Sequence, residues 1–174
     1  MSIKQFIILL MFSFCLAQSA HAVEVVEFSA KDLQGNDHSI EQYRGKWVVI
    51  NYWGTFCGPC IREMPELSIF HNEHKDDDAV VLGINQEEIP VQMLANFTRN
   101  LKVDFPSLKV PFEQVTPFGT VTVLPTTFIV NPKGEIVARQ QGPVSSELLE
   151  DYIARKTQQT LQEEFKQRHG LDKS

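Results

Sequence analysis

The chain of 174 residues carries 16 lysines and arginines against 22 aspartates and glutamates, a net charge of −6 with no basic cluster. That balance argues against a nucleic-acid partner. The length suffices for one domain with a sizeable hydrophobic core and calls for no second.

The first 22 residues, MSIKQFIILLMFSFCLAQSAHA, set Lys4 ahead of an apolar run over 6–17 and end on the small-x-small triplet Ala20-His21-Ala22. This is the layout of a cleavable secretory signal peptide, and it places the protein in the periplasm or otherwise exported. The run is about a dozen residues where a membrane-spanning helix needs about 20, so a retained anchor is the weaker reading. Cys15 has the bulky Phe12 and Phe14 beside it, where lipid-attachment signals want small residues, and it reads as part of the discarded segment. Cleavage after Ala22 removes Lys4 and Cys15, leaving 15 basic against 22 acidic residues, a net charge of −7, with only Cys57 and Cys60.

Residues 23–28 are β-like, and Gly35-Asn36 signals a tight turn before 39–45. The run 46–53, KWVVINYW, is nearly all apolar and reads as a strand buried on both faces. Met64, Leu67 and Phe70 then recur at helical spacing over 61–74, with Pro65 inside as an expected kink. AVVLGIN at 79–85 is a second buried strand, and 90–101 a helix with proline at its start. Residues 126–130 and 135–139 flank the turn quartet Asn-Pro-Lys-Gly and form a hairpin. Ser145 or Ser146 caps a last helix kept partly amphipathic by Leu149, Ile153, Leu161 and Phe165, and its polar end is expected to project or fray. The order β, β–α, β–α, β–β, α gives an α/β domain: a central mixed sheet with helices on both faces.

Cys57 and Cys60, in NYWGTFCGPC, admit three readings: a redox pair, half a metal site, or a structural staple. Two cysteines three apart close no long loop, so a bridge between them does little to the unfolded chain. A metal needs about four ligands, and the nearby candidates, His71 and His74, lie three or more turns away and read as solvated. No metal and no cofactor is expected. A helix starting near Gly58 puts Cys57 at its N-terminus, where free amides and the helix dipole favour a thiolate. The thiolate is the attacking form, so the pair reads as a disulfide exchanger with Cys60 one turn deeper.

VVINYWGTFCGPCIREMP together with VLPTTFIVNPKGEIV resembles the exported thioredoxin-like thiol-disulfide oxidoreductases of the TlpA/ResA/CcmG (DsbE) type, over 28–154. The resemblance implies a thioredoxin-like fold with an N-terminal β extension, a domain over 23–155, and a polar C-terminal helix or tail over 156–174. It makes Pro125 a cis-proline beside the disulfide that helps align a client's backbone. Glu63 matches a glutamate three residues after the second cysteine; at that spacing its carboxylate shares a helical side with Cys60 and can exchange a proton with a thiol. Two readings of Glu63 stand: buried with a raised pKa, or exposed and favoured by the helix dipole. Asn51 stands where thioredoxin has a buried aspartate, which leaves Glu63 as the acid–base candidate. Trp53, Phe56, Gly58, Pro59 and Leu124 surround the active turn as candidate client-binding residues, with core or edge packing as the bland reading of Trp53 and Phe56. In cytochrome-maturation relatives an acidic stretch near Glu87 and Glu88 contributes to partner recognition; read plainly, these two sit in a solvated loop.

The leading functional reading is a reductant of disulfides in exported proteins, apocytochrome c among them, recharged by a membrane thiol donor of the DsbD/CcdA kind. A thiol oxidase or isomerase and a thioredoxin-like binding or chaperone module are the alternatives. Residues 28–53 also resemble the opening of peroxiredoxins, but the proline and threonine their peroxide site needs are Ile50 and Gly54 here, which argues against peroxide as substrate.

Overall fold

The computed structural model describes residues 25–170. A hairpin of β1 (Ser29–Lys31) and β2 (Asp37–Ser39) leads through a 3₁₀ turn at Glu41–Tyr43 into β3 (Trp47–Trp53). There follow α1 (Gly58–His74), β4 (Ala79–Asn85), α2 (Val91–Asn100), β5 (Ser107–Lys109), β6 (Thr126–Val130), β7 (Ile136–Gln141) and α3 (Ser146–His169). Five strands make one mixed sheet in the order β5-β4-β3-β6-β7. β3, β4 and β5 run parallel, and β6 and β7 join antiparallel.

Every residue of β3 and β4 is buried, as their nearly continuous apolar runs require of strands covered on both faces. Side chains alternate across the sheet. Val49 and Val81 face Leu67 and Phe70 of α1, Leu94 of α2 and Leu149 of α3. Val48, Ile50 and Leu82 face Val26, Phe28, Ile40 and Phe118. Both faces are therefore covered, but the three α-helices share one of them. On the other, helical cover reduces to the 3₁₀ turn, because residues 111–123 carry Pro111, Pro117, Gly119 and several β-branched residues that hold no helix. Within β4, position 83 has room only for glycine: a Cβ there would lie 3.0 Å from both Trp53 Nε1 and the Phe105 ring.

Some boundaries differ from the expectation. Residues 25–28 form no strand; Val25 makes one isolated bridge to Glu135, and the Val26 amide donates to Gly134 O at 2.8 Å, while Val26 and Phe28 plug the core. The β extension is instead the β1–β2 hairpin. β5 was not expected, since three residues carry no periodicity; pairing with β4 makes it a strand. Pro90 caps α2 from outside, and Ser145 caps α3 by accepting from the Leu148 amide. Leu161 and Phe165 do not extend an apolar stripe: they are 60% and 55% exposed, because the core ends at Ile153 and the helix runs on past it. Residues 1–24 lie outside the description, the expected signal peptide with them; among the described residues no helix is long and apolar enough to cross a membrane.

Candidate active site

β3 delivers Trp53 to the end of the sheet, where the chain turns through Gly54, Thr55 and Phe56 into α1. The turn closes with the Cys57 amide donating to Gly54 O at 3.1 Å. Cys57 is the N-cap of α1: its Sγ accepts from the Cys60 amide at 3.2 Å. Pro59, in the first helical turn, removes an amide that would have no partner there. Cys57 and Cys60 are joined in a disulfide, their Cα atoms 5.3 Å apart. A sulfur released at this N-cap sits against free amides and the positive end of the helix dipole, which favour its charged form.

Glu63 lies one turn further along α1 and is 2% exposed. Its carboxylate accepts from Asn51 Nδ2 and from the Val144 amide, both at 2.9 Å. Burial pushes its pKa up, and the Val144 and Asn51 bonds offset only part of that rise. The exposed, dipole-favoured reading of Glu63 is thereby overturned. The bond to Val144 spans 81 residues, so neither spacing nor propensity could announce it.

The Leu124–Pro125 peptide is cis. Pairing of Tyr52 with Thr126 sets it beside the end of β3. A groove of about 550 Å³ opens next to the disulfide, and Trp53, Phe56, Cys57, Gly58, Pro59 and Leu124 border it. Phe56 is 76% exposed on its rim, whereas Trp53 is 1% exposed and stacks on Phe97; Trp53 is thus a core residue that shows the groove an edge. Phe112, on the same groove and 69% exposed, escaped the sequence reading because it lies 55 residues from Cys57 in an irregular loop. A Cβ on Gly54 would meet the Phe56 ring at 3.0 Å and Leu124 at 3.3 Å, so the threonine of a peroxide site does not fit this turn unaltered.

Two further expectations are corrected. Glu87 is not a solvated loop residue: its carboxylate accepts from the Thr55 amide (2.6 Å), the Thr55 hydroxyl (2.7 Å) and Asn85 Nδ2 (2.7 Å). Desolvation pushes its pKa up, but the bonds from Thr55 and Asn85 and the nearby Lys109 outweigh this and hold it below the usual range. Glu88 is exposed, as read. His71 is not solvated either; it is 7% exposed, its Nδ1 accepts from the Val81 amide at 3.1 Å, and burial lowers its pKa to about 4. His74 packs on Phe70 and bonds Asp78. Both histidines serve packing on α1.

Residues 22–139 match the AhpC/TSA family. The thiol-disulfide oxidoreductase ResA of Geobacillus kaustophilus is 33% identical over 127 residues, 73% of this chain and 72% of that protein. The chain belongs to the AhpC/TSA family and is a ResA-type thiol-disulfide oxidoreductase. Among solved structures, StoA from Bacillus subtilis is 26% identical and superposes with a TM-score of 0.64 over 75% of this chain and 98% of that one. A DsbF homologue from Corynebacterium diphtheriae gives 26% identity and a TM-score of 0.69 over 79% and 89%. The mixed sheet, the N-cap cysteine and the cis peptide before Thr126 are accordingly the frame of a thioredoxin-like, ResA-type oxidoreductase.

Proposed function

We propose that the protein is an exported, periplasmic reductant of disulfides in other exported proteins, with apocytochrome c as one client. What supports this reading above all is the pairing of an N-cap Cys57 with a buried Cys60 that has the protonatable Glu63 one turn beyond it. In the reduced protein the Cys57 thiolate attacks one sulfur of a client disulfide; a bond forms between them, and the client's other sulfur leaves and takes a proton. Cys60 then gives its proton to Glu63, whose raised pKa suits it to accept and return one. The Cys60 thiolate attacks Cys57 Sγ, the mixed disulfide breaks, and the client's second sulfur departs as a thiol. Two electrons have passed to the client, and Cys57–Cys60 is oxidised. A periplasm is kept oxidising, so a membrane dithiol donor of the DsbD/CcdA kind must restore the pair. Leu124 and Pro125 align the client's backbone, while Phe56, Gly58 and Pro59 form the surface it meets, and Trp53 backs it from the core. Residues 23–155 carry the function, and the signal over 1–22 and the tail over 156–174 do not.

Cys60→Ser, expressed in the exporting cell, should accumulate client proteins disulfide-linked to Cys57, visible on a non-reducing gel and lost when Cys57→Ser is added. Failure to trap any client, with the wild type still reducing them, would overturn the reading. A reduction potential for Cys57–Cys60 well above that of thioredoxin would transfer the assignment to a thiol oxidase or isomerase.

A further inference from the structure

The turn that presents the nucleophile has little holding it. Phe56 is 76% exposed, and the Cys57 amide to Gly54 O is the one backbone bond across the turn itself. In the oxidised protein the disulfide ties Cys57 to α1; every catalytic cycle opens that tie. What stays in place is Glu87. Three donors converge on its carboxylate, two from Thr55 in the turn and one from Asn85 at the end of β4. Asn85 is itself fully buried, and its Oδ1 accepts from the Glu87 amide at 3.0 Å. β3 and β4 are in register here, Trp53 beside Asn85, so the strap joins the turn that follows β3 to the end of β4.

We propose that Glu87 is a positioning residue, its carboxylate strapping the turn to the end of β4 and so aiming Cys57 at the client's sulfur. The idea rests on the exchange reaction proposed above and adds to it a residue that never touches the reacting atoms. Geometry, not charge, is what the strap supplies. A glutamine can keep the same contacts: its oxygen accepts from the Thr55 and Asn85 N–H groups, and its amide donates to the Thr55 hydroxyl, which reverses role. An alanine keeps none.

The test is the rate at which the reduced protein attacks 5,5′-dithiobis(2-nitrobenzoate), measured against pH to separate the thiolate's plateau rate from its pKa. Glu87→Ala should lower the plateau about tenfold, as misplaced reacting groups do, and leave the midpoint unmoved, while Glu87→Gln stays within about twofold. An unchanged plateau in Glu87→Ala, or an equal loss in Glu87→Gln, overturns the proposal. Thr55→Val disturbs the fold less and should cost about threefold, with no added loss when combined with Glu87→Ala; additive losses would also overturn it. Should the wild type attack neither this probe nor a protein disulfide, the exchange reading falls separately. The strap is then still read from the oxidised protein, where the Thr55 amide should exchange with deuterium about tenfold faster in Glu87→Ala than in the wild type. Equal exchange rates sink it.

Discussion

Glu63 and Glu87 each accept from a backbone amide and an asparagine at the C-terminal ends of adjacent parallel strands, yet their acidities move apart. Glu63 is 2% exposed and has two donors, so lost hydration wins and its pKa is raised. Glu87 keeps some water and gains a third donor and Lys109, so the charged form wins. Residue type and partner type are alike; the balance of burial against donors raises the pKa of one and lowers that of the other.

The largest expected effect bearing on this comparison comes from a third group that masks it. His71 has its pKa lowered to about 4, so the unfolded chain binds a proton that the folded one refuses. Stability is full above about pH 6.5 and falls, as pH drops towards 4, by roughly 3 kcal/mol. Urea titrations at several pH values should show this limb, and His71→Gln, which keeps an acceptor for Val81, should remove it. Next in size, Asn51→Leu strips a donor from Glu63. It should cost about 2–3 kcal/mol at pH values above the folded pKa of Glu63, where the carboxylate needs that bond, and about 1 kcal/mol below it; equal costs across the whole pH range would refute the contrast.

The two glutamates can then be set against each other directly. The folded pKa of Glu63 is raised, so its contribution is present below about pH 4.5 and is lost as pH rises through the folded value. That of Glu87 is lowered, so its contribution is present above about pH 4.5 and is lost as pH falls through the folded value. Glu63→Gln should therefore gain on the wild type as pH rises. Glu87→Gln should lose up to about 1 kcal/mol near neutrality and converge with it in acid. Curves bending the same way would break the contrast. Smallest of all is truncation after Lys156, since residues 157–170 are exposed. It should shift stability by under about 0.5 kcal/mol and leave both pH profiles in place.

The sequence announced what is local and repeated. The buried runs of β3 and β4, the hairpin around Asn131–Gly134 and the N-cap of α1 follow from periodicity, turn chemistry and the position of two cysteines. Hidden from it was whatever needs a distant partner. β5 is a strand because β4 lies beside it. Glu63 is buried because Val144 closes over it, and Glu87 is an anchor because Thr55, 32 residues earlier, turns back to meet it. The misread helical stripe is the same lesson reversed: Leu161 and Phe165 have helical spacing, but the core has ended before they arrive.

The bond from Val144 to Glu63 also bears on how the protein is made. Cys57 and Cys60 are synthesised early, while Glu87, which bonds Thr55, and Val144, which bonds Glu63, are synthesised later. A chain emerging N-terminus first thus displays two thiols before these bonds can form. Until residue 144 has docked, Glu63 beside them lacks one of the two donors that hold its carboxylate.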